Sequence, residues 1–167
     1  ARVFALVGDE WTQLGADLDG ADAQDRFGGS VSLSADGTVL AVGASNNGPW
    51  AGHARIFAWS EEGSWVQMGD AIEGEAAHDH SGSSVSLSAA GDVIAIGAPS
   101  NDGAGNDGGH VRLFAFIDDA WVQRGDDIDG PKNTNLGSVV SLSADGTVVA
   151  AGGYVSRIFS WTNNEWK

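Results

Sequence analysis

The 167-residue sequence contains no cysteine, and its only lysines are Lys132 and Lys167. Without cysteine, no disulfide can cross-link the fold and no thiolate can act as a metal ligand or a nucleophile. Lysine and arginine together number 8 against 23 aspartates and glutamates, for a formal charge of −15. Because affinity for nucleic acid comes from basic side chains that release counterions from phosphates, this charge argues against a nucleic-acid partner.

The sequence also lacks long apolar runs and sustained helical periodicity. No stretch approaches the ~20 apolar residues of a membrane-spanning helix, so we expect no membrane insertion. There is no signal peptide and no initial methionine, and both ends fall inside strand-like segments. We therefore expect the sequence to be part of a longer chain or of an assembly.

One segment occurs three times, and a fourth copy begins before the sequence stops. Each copy has an arginine–apolar–phenylalanine triplet followed by a tryptophan. The triplets start at Arg2, Arg55, Arg112 and Arg157, and the tryptophans are Trp11, Trp65, Trp121 and Trp166. A period of about 45–57 residues is typical of solenoids, propellers and arrays.

Each unit is predicted to contain four strands. In the most complete unit these are Ser83–Ser88, Val93–Ala98, residues 110–116 and residues 121–128. The first strand alternates apolar and small polar residues, whereas the second is apolar on both faces, as in a strand that is buried on both sides. Asp-Gly pairs at Asp36 and Asp145 predict tight hairpins. The sequence therefore predicts an all-β chain.

The third strand of each unit has one bulky face and one small face. In the first complete unit, Arg55, Phe57 and Trp59 alternate with Ala54, Ile56 and Ala58. Such faces allow the aromatic side chains of one sheet to pack against the small side chains of the next. Four-stranded antiparallel sheets that stack in this way around an axis are the blades of a β-propeller. We therefore predict propeller blades that form a segment of a larger ring.

The repeat divides residues 1–167 into four parts of one partial propeller. Residues 1–26 are the outer strands of a preceding blade, 27–80 and 81–135 are blades, and 136–167 are an incomplete blade. A propeller closes with roughly 4–8 blades, so further sequence or further copies would be needed to complete the ring.

Two motifs of these blades resemble a known repeat. Phe27-Gly28-Gly29-Ser30-Val31 precedes Val42-Gly43-Ala44, and Ser81-Gly82-Ser83-Ser84-Val85 precedes Ile96-Gly97-Ala98-Pro99. Together they resemble the FG-GAP repeat of integrin-α-type propellers over nearly the whole chain, with a looser third copy. This resemblance implies an extracellular or cell-surface module that functions in protein binding or cell adhesion.

Blades of that family often carry an Asp-rich calcium loop between the first two strands. Here the connection is only Ser34–Thr38, or its equivalents, which is too short to surround a cation with six to eight oxygens. We therefore expect no calcium ion at the usual position of the family.

The loops at the opposite end of the sheets vary between copies and are acidic. Function in repeat proteins usually lies where the repeat is broken. The candidate ligands there for a hard cation such as Ca²⁺ are Asp102, Asp107, Asp79 and Glu75. The alternative is that Asp, Asn and Gly occur there because they form turns.

Histidines offer a second, weaker metal motif. His78 and His80 flank Asp79, but no third Zn²⁺ ligand is evident. His53 and His110 lie at equivalent places at the start of the third strand, so we interpret them as structural.

Trp50 is the one tryptophan of seven without a counterpart in another unit. An exposed tryptophan beside asparagine and glycine can stack on a sugar ring or anchor a protein contact, and the alternative is that it covers the rim of the core. The candidate partner-binding residues are Trp50, Asn46, Asn47, Asp102, Asn106 and Asp107.

The sequence favours a non-enzymatic recognition or scaffold module that presents acidic variable loops to a protein or glycan partner. It contains no nucleophile-elbow motif and no phosphate-binding Gly-Lys motif. One alternative is a propeller enzyme, a lyase or hydrolase, with its site on blades that are not present here. The other is a purely structural subunit of a larger complex.

Overall fold

The computed structural model describes residues 1–103 and 105–167, so Ala104, in the predicted loop 101–109, lies outside the described residues. The chain forms four antiparallel sheets, and the all-β prediction is confirmed.

The first sheet contains β1 (Phe4–Val7) and β2 (Glu10–Gln13). The second contains β3 (Ser30–Leu33), β4 (Val39–Ala44), β5 (His53–Trp59), β6 (Trp65–Gln67) and β7 (Ile72–Glu73). The third contains β8 (Ser84–Leu87), β9 (Val93–Ala98), β10 (His110–Ile117), β11 (Ala120–Gln123) and β12 (Ile128–Asp129). The fourth contains β13 (Val139–Leu142), β14 (Val148–Gly152), β15 (Ser156–Thr162) and β16 (Glu165–Trp166).

Strands joined by short hairpins pair with each other, whereas β7 and β12 pair with β5 and β10 rather than with the strands directly before them. Between β10 and β11 the turn consists of Asp118 and Asp119, both with positive φ (49° and 63°), so it is a two-residue turn of the type that matches strand twist. The four sheets each lie within one of the four predicted segments (1–26, 27–80, 81–135 and 136–167).

The outer strand of the third sheet differs from the prediction. We expected one strand over residues 121–128, but the structure has two short strands, β11 and β12, that both pair with β10. Gly125 between them has a φ of +83°, a conformation that interrupts an extended strand. The second sheet has the same break between β6 and β7, at Gly69.

One short helix, α1 (Asn47–Trp50), interrupts the loop after β4. Its second and third residues, Gly48 and Pro49, have non-helical dihedrals, so it is a distorted turn rather than a regular helix. Among the described residues, no helix has the length and apolar character needed to cross a membrane.

The core lies between neighbouring sheets. Every residue of β4 and β9 is buried, as predicted for second strands. The small face of β5, with Ala54 and Ile56, forms one apolar cluster with Phe114, on the bulky face of β10. Leu113 on the small face of β10 clusters in turn with β13 and β14, and Phe159 packs against that cluster. The predicted contact of bulky faces with small faces is confirmed.

Hydrogen bonds between sheets explain the recurrent serines of the first strands. Ser30 Oγ donates to the carbonyl of Gly82 (2.8 Å), and Ser84 Oγ donates to that of Gly137 (2.7 Å). Each bond joins one sheet to the start of the next. The recurrent tryptophans do the same at the outer strands, where the indole Nε1 of Trp121 donates to a carbonyl of the second sheet (2.9 Å).

Candidate functional site

The variable loops form one continuous surface, which we call the loop face: loops 45–52 and 99–109 with connections 74–82 and 130–137. Backbone hydrogen bonds fix each loop to the connection that follows it. His80 N donates to the carbonyl of Trp50 (3.0 Å), and Asn135 N donates to that of Asp107 (2.9 Å). The connection 74–82 is also bonded to the second loop, because Ser100 N donates to the carbonyl of Asp79 (3.3 Å). The loops and connections of this surface are therefore hydrogen-bonded to one another.

Trp50 is held in an unusual conformation on this surface. Its φ is +61°, in the left-handed region that a bulky residue rarely adopts, and its side chain is half exposed. The indole lies 4.9 Å from the ring of His78, with the two planes tilted by 53°. His78 also has a positive φ (73°). The two rings thus form an exposed aromatic pair on a constrained backbone.

The other predicted partner-binding residues have local structural contacts. Asn46 N donates to the carbonyl of Asp25 (3.1 Å), and the carbonyl of Asn47 accepts from Gly52 N (3.2 Å). In the second loop, Asp102 Oδ1 accepts from Asp107 N (2.7 Å), which closes the loop on itself. Asn106 bonds through its carbonyl to Asn133 N (2.9 Å). Trp50 and the second loop therefore belong to the same face, with the connection 74–82 between them.

The four predicted metal ligands do not form one group. Asp79 is buried, and its Oδ2 accepts from Ala76 N and from Asn101 Nδ2, both at 3.0 Å. In the preceding connection, Asp25 Oδ2 likewise accepts from Asp22 N (2.8 Å). The carboxylate at this repeated position therefore stabilises a turn. Among the described residues, the structure brings Glu75 together with His110 and Asp127, and not with Asp79, Asp102 or Asp107.

The Glu75 group lies where the second connection meets the third sheet. His110 Nδ1 is 3.8 Å from Glu75 Oε2 and 3.8 Å from Asp127 Oδ2. The His110 side chain is only 2% exposed, whereas the two carboxylates are partly open to solvent. Burial, together with the nearby Arg112 charge, lowers the pKa of His110 against the opposing effect of the carboxylates. The imidazole is therefore neutral near pH 7, the form that can act as a metal ligand.

Sequence reasoning missed His110 and Asp127 as members of a site. His110 was interpreted as structural because it matches His53. The sequence did contain a signal for the site. Glu75 and Asp127 are acidic, whereas the equivalent residues of the preceding copy, Ala21 and Ala71, are alanines. His53 has no hydrogen bond to either ring nitrogen. The two acids therefore distinguish the third sheet from the second.

The hairpins between first and second strands do not fit a calcium ion. Asp36 Oδ1 accepts from Ser34 Oγ (2.7 Å), Thr38 N (2.9 Å) and Thr38 Oγ1 (2.7 Å). Asp145 makes the same three bonds in the fourth sheet. These donors lower the pKa of each carboxyl to about 2. The carboxylates thus close their own five-residue turns, and too few oxygens are left to surround a cation.

No known family model matches the chain, and no curated protein matches it.

Proposed function

We propose that this chain is a segment of an FG-GAP-type β-propeller that acts as a non-enzymatic recognition module, with the loop face as its binding surface. The observation that carries the proposal is Trp50, a half-exposed aromatic side chain on a strained and hydrogen-bonded loop that occurs in one copy only. A rigid aromatic side chain gives a large contact area at a small entropy cost, which suits a binding hot spot.

The packing of the sheets supports the propeller part of the proposal. The same two faces meet at successive sheet contacts, with the same serine bonds across them. The corresponding small face of the fourth sheet is uncovered, with Ile158 exposed where Ile56 and Leu113 are buried. In a larger ring, the bulky face of a further sheet would pack against this small face and bury it.

The electrostatics of the loop face indicate the kind of partner. Asp102, Asp107 and Glu75 are exposed there, and Lys132 is the single lysine in the four segments of the loop face. An acidic rim around an aromatic pair fits a basic protein surface, or a neutral glycan that stacks on Trp50 and bonds to carboxylates.

The enzyme alternative has less support among the described residues. A cleft of about 660 Å³ lies beside the fourth sheet, lined by serines, small residues and Tyr154 without a histidine or carboxylate. The strand-initial serines Ser30 and Ser84 bond to neighbouring carbonyls rather than to a base. A purely structural subunit would differ from the recognition module in having no ligand for Trp50.

The test begins with a screen of the chain against a glycan array and a panel of purified extracellular domains. For any ligand found, Trp50→Ala should raise Kd about thirty-fold, the loss expected of a hot spot worth ~2 kcal/mol. Trp11→Ala is the matched control, because Trp11 is exposed but belongs to the repeated register. Equal binding by the two variants would contradict the proposal, provided that both melt at the wild-type temperature.

A further inference from the structure

We infer that Glu75, His110 and Asp127 form a binding site for a divalent transition-metal ion of the Zn²⁺ type. His110 Nδ1 lies 3.8 Å from Glu75 Oε2 and 3.8 Å from Asp127 Oδ2. Zn–N and Zn–O bonds of ~2.0–2.2 Å allow up to about 4.4 Å between two ligand atoms of one ion, so both separations fit. The three ligand atoms all lie within 4.8 Å of one another, so a single ion can contact all three after small side-chain adjustments.

The chemistry of the donors selects the metal. One imidazole nitrogen with two carboxylates suits Zn²⁺ and similar ions, whereas Ca²⁺ prefers a shell made of oxygens only. His110 is almost fully buried, and its Nδ1 faces one carboxylate oxygen of Glu75 and one of Asp127, each at 3.8 Å. That separation is too long for a direct hydrogen bond, and it is a separation that one bound ion can bridge.

Neighbouring groups orient both carboxylates so that one oxygen of each faces His110. Asp127 Oδ1 accepts from Gln123 Nε2 (2.7 Å), which leaves Oδ2 towards the imidazole. Glu75 Oε1 lies 3.5 Å from Arg112 Nη1, which leaves Oε2 towards the imidazole. Partners that hold the second atom of a ligand are typical of metal centres.

Charge also favours a cation at this point. Glu75 and Asp127 are close to each other, and Asp79 adds its negative charge to the field at His110, against the single positive charge of Arg112. A bound divalent ion would offset this excess of negative charge. It would also join the connection 74–82 to the third sheet. The two ligand carboxylates retain exposed surface, so water can complete the coordination.

The second sheet serves as an internal comparison. His53 and Arg55 are retained there, but Ala21 and Ala71 replace the two acids. In the variants Glu75→Ala and Asp127→Ala, each acid is replaced by the residue found at the equivalent position of the preceding copy. We therefore expect both proteins to fold.

The test is calorimetric titration of the metal-free 167-residue chain with ZnCl₂ and, separately, with CaCl₂ at pH 7. We expect one Zn²⁺ per chain, at least tenfold tighter than Ca²⁺, and a Kd raised at least tenfold by Glu75→Ala and by Asp127→Ala. His78→Gln is the control, since Gln24 occupies the equivalent position and His78 packs on Trp50 instead.

Any of three titration results would overturn the inference. They are no Zn²⁺ binding below millimolar concentration, binding that neither alanine variant weakens, or binding that is lost in His78→Gln. NMR of the histidine rings gives a second readout that needs no variant. Added Zn²⁺ should shift the ring nitrogens of His110, and shifts confined to His78 and His80 would refute the site.

Discussion

Replacement of Gly97 by alanine tests the close approach of the third and fourth sheets. Gly97 lies in β9 against the start of the fourth sheet, and a Cβ there would overlap the carbonyl oxygen of Gly137 and crowd Ser84 Oγ. Neither group is free to move, because Ser84 Oγ donates to that same carbonyl. The sheets would have to separate for the methyl group to fit.

The expected cost follows from these contacts. Overpacking in a close-packed core costs about 1–3 kcal/mol, and loss of the Ser84–Gly137 hydrogen bond adds about 1 kcal/mol. We therefore expect Gly97→Ala to lower the free energy of unfolding by about 2–4 kcal/mol. The measurement is urea unfolding followed by circular dichroism, with a midpoint shift at constant slope.

Gly152→Ala is the matched control. Gly152 occupies the same place in the fourth sheet, where nothing lies closer than Ser156 Oγ at 3.7 Å from the added Cβ. Its φ is not positive, so alanine fits at this position. The substitution should raise the free energy of unfolding by about 0.4–1 kcal/mol, because alanine reduces the conformational entropy of the unfolded chain. Equal stability of the two variants would refute the close contact between sheets.

Two further predictions concern titratable side chains. His53 is buried with neither ring nitrogen hydrogen-bonded, so His53→Leu should raise the free energy of unfolding by about 1 kcal/mol, measured by urea unfolding at pH 7. Burial lowers the pKa of His53 in the folded state, so the unfolded chain binds the proton more readily and wild-type stability should fall as pH drops below about 6.5. A pH dependence as steep in His53→Leu as in the wild type would contradict this assignment. The Asp145 carboxyl should titrate near pH 2 in ¹³C NMR, because its three donors favour the ionised form. Its contribution to stability is then present above pH ~3.9 and lost as pH falls towards 2, and a titration near pH 3.9 would show that the turn bonds are absent.

Much of the fold could be predicted because its signals are local. Period-two alternation in segments such as Ser84–Leu87, the all-apolar second strand Val93–Ala98 and the Asp-Gly turns each depend on a few consecutive residues. The faces of β5 followed from the same alternation. Their repetition in several copies made each local signal stronger than it would be in a single copy.

The candidate site was predicted less completely, because its members are distant in sequence. Trp50 could be identified as the one tryptophan outside the repeat, but its contact with His78 depends on how two loops pack. The break of the outer strand at Gly125 likewise needed a backbone conformation that the apolar pattern does not encode.

By itself, the sequence determined the all-β class, the repeat and the alternation of faces, since each follows from residues that are near one another along the chain. Only the tertiary structure decided which acids act together. It separated Glu75 from Asp79, four residues away, and placed it beside His110 and Asp127. The physical reason is that neighbours in a connection point in different directions, whereas the stacking of sheets brings remote segments within bonding distance.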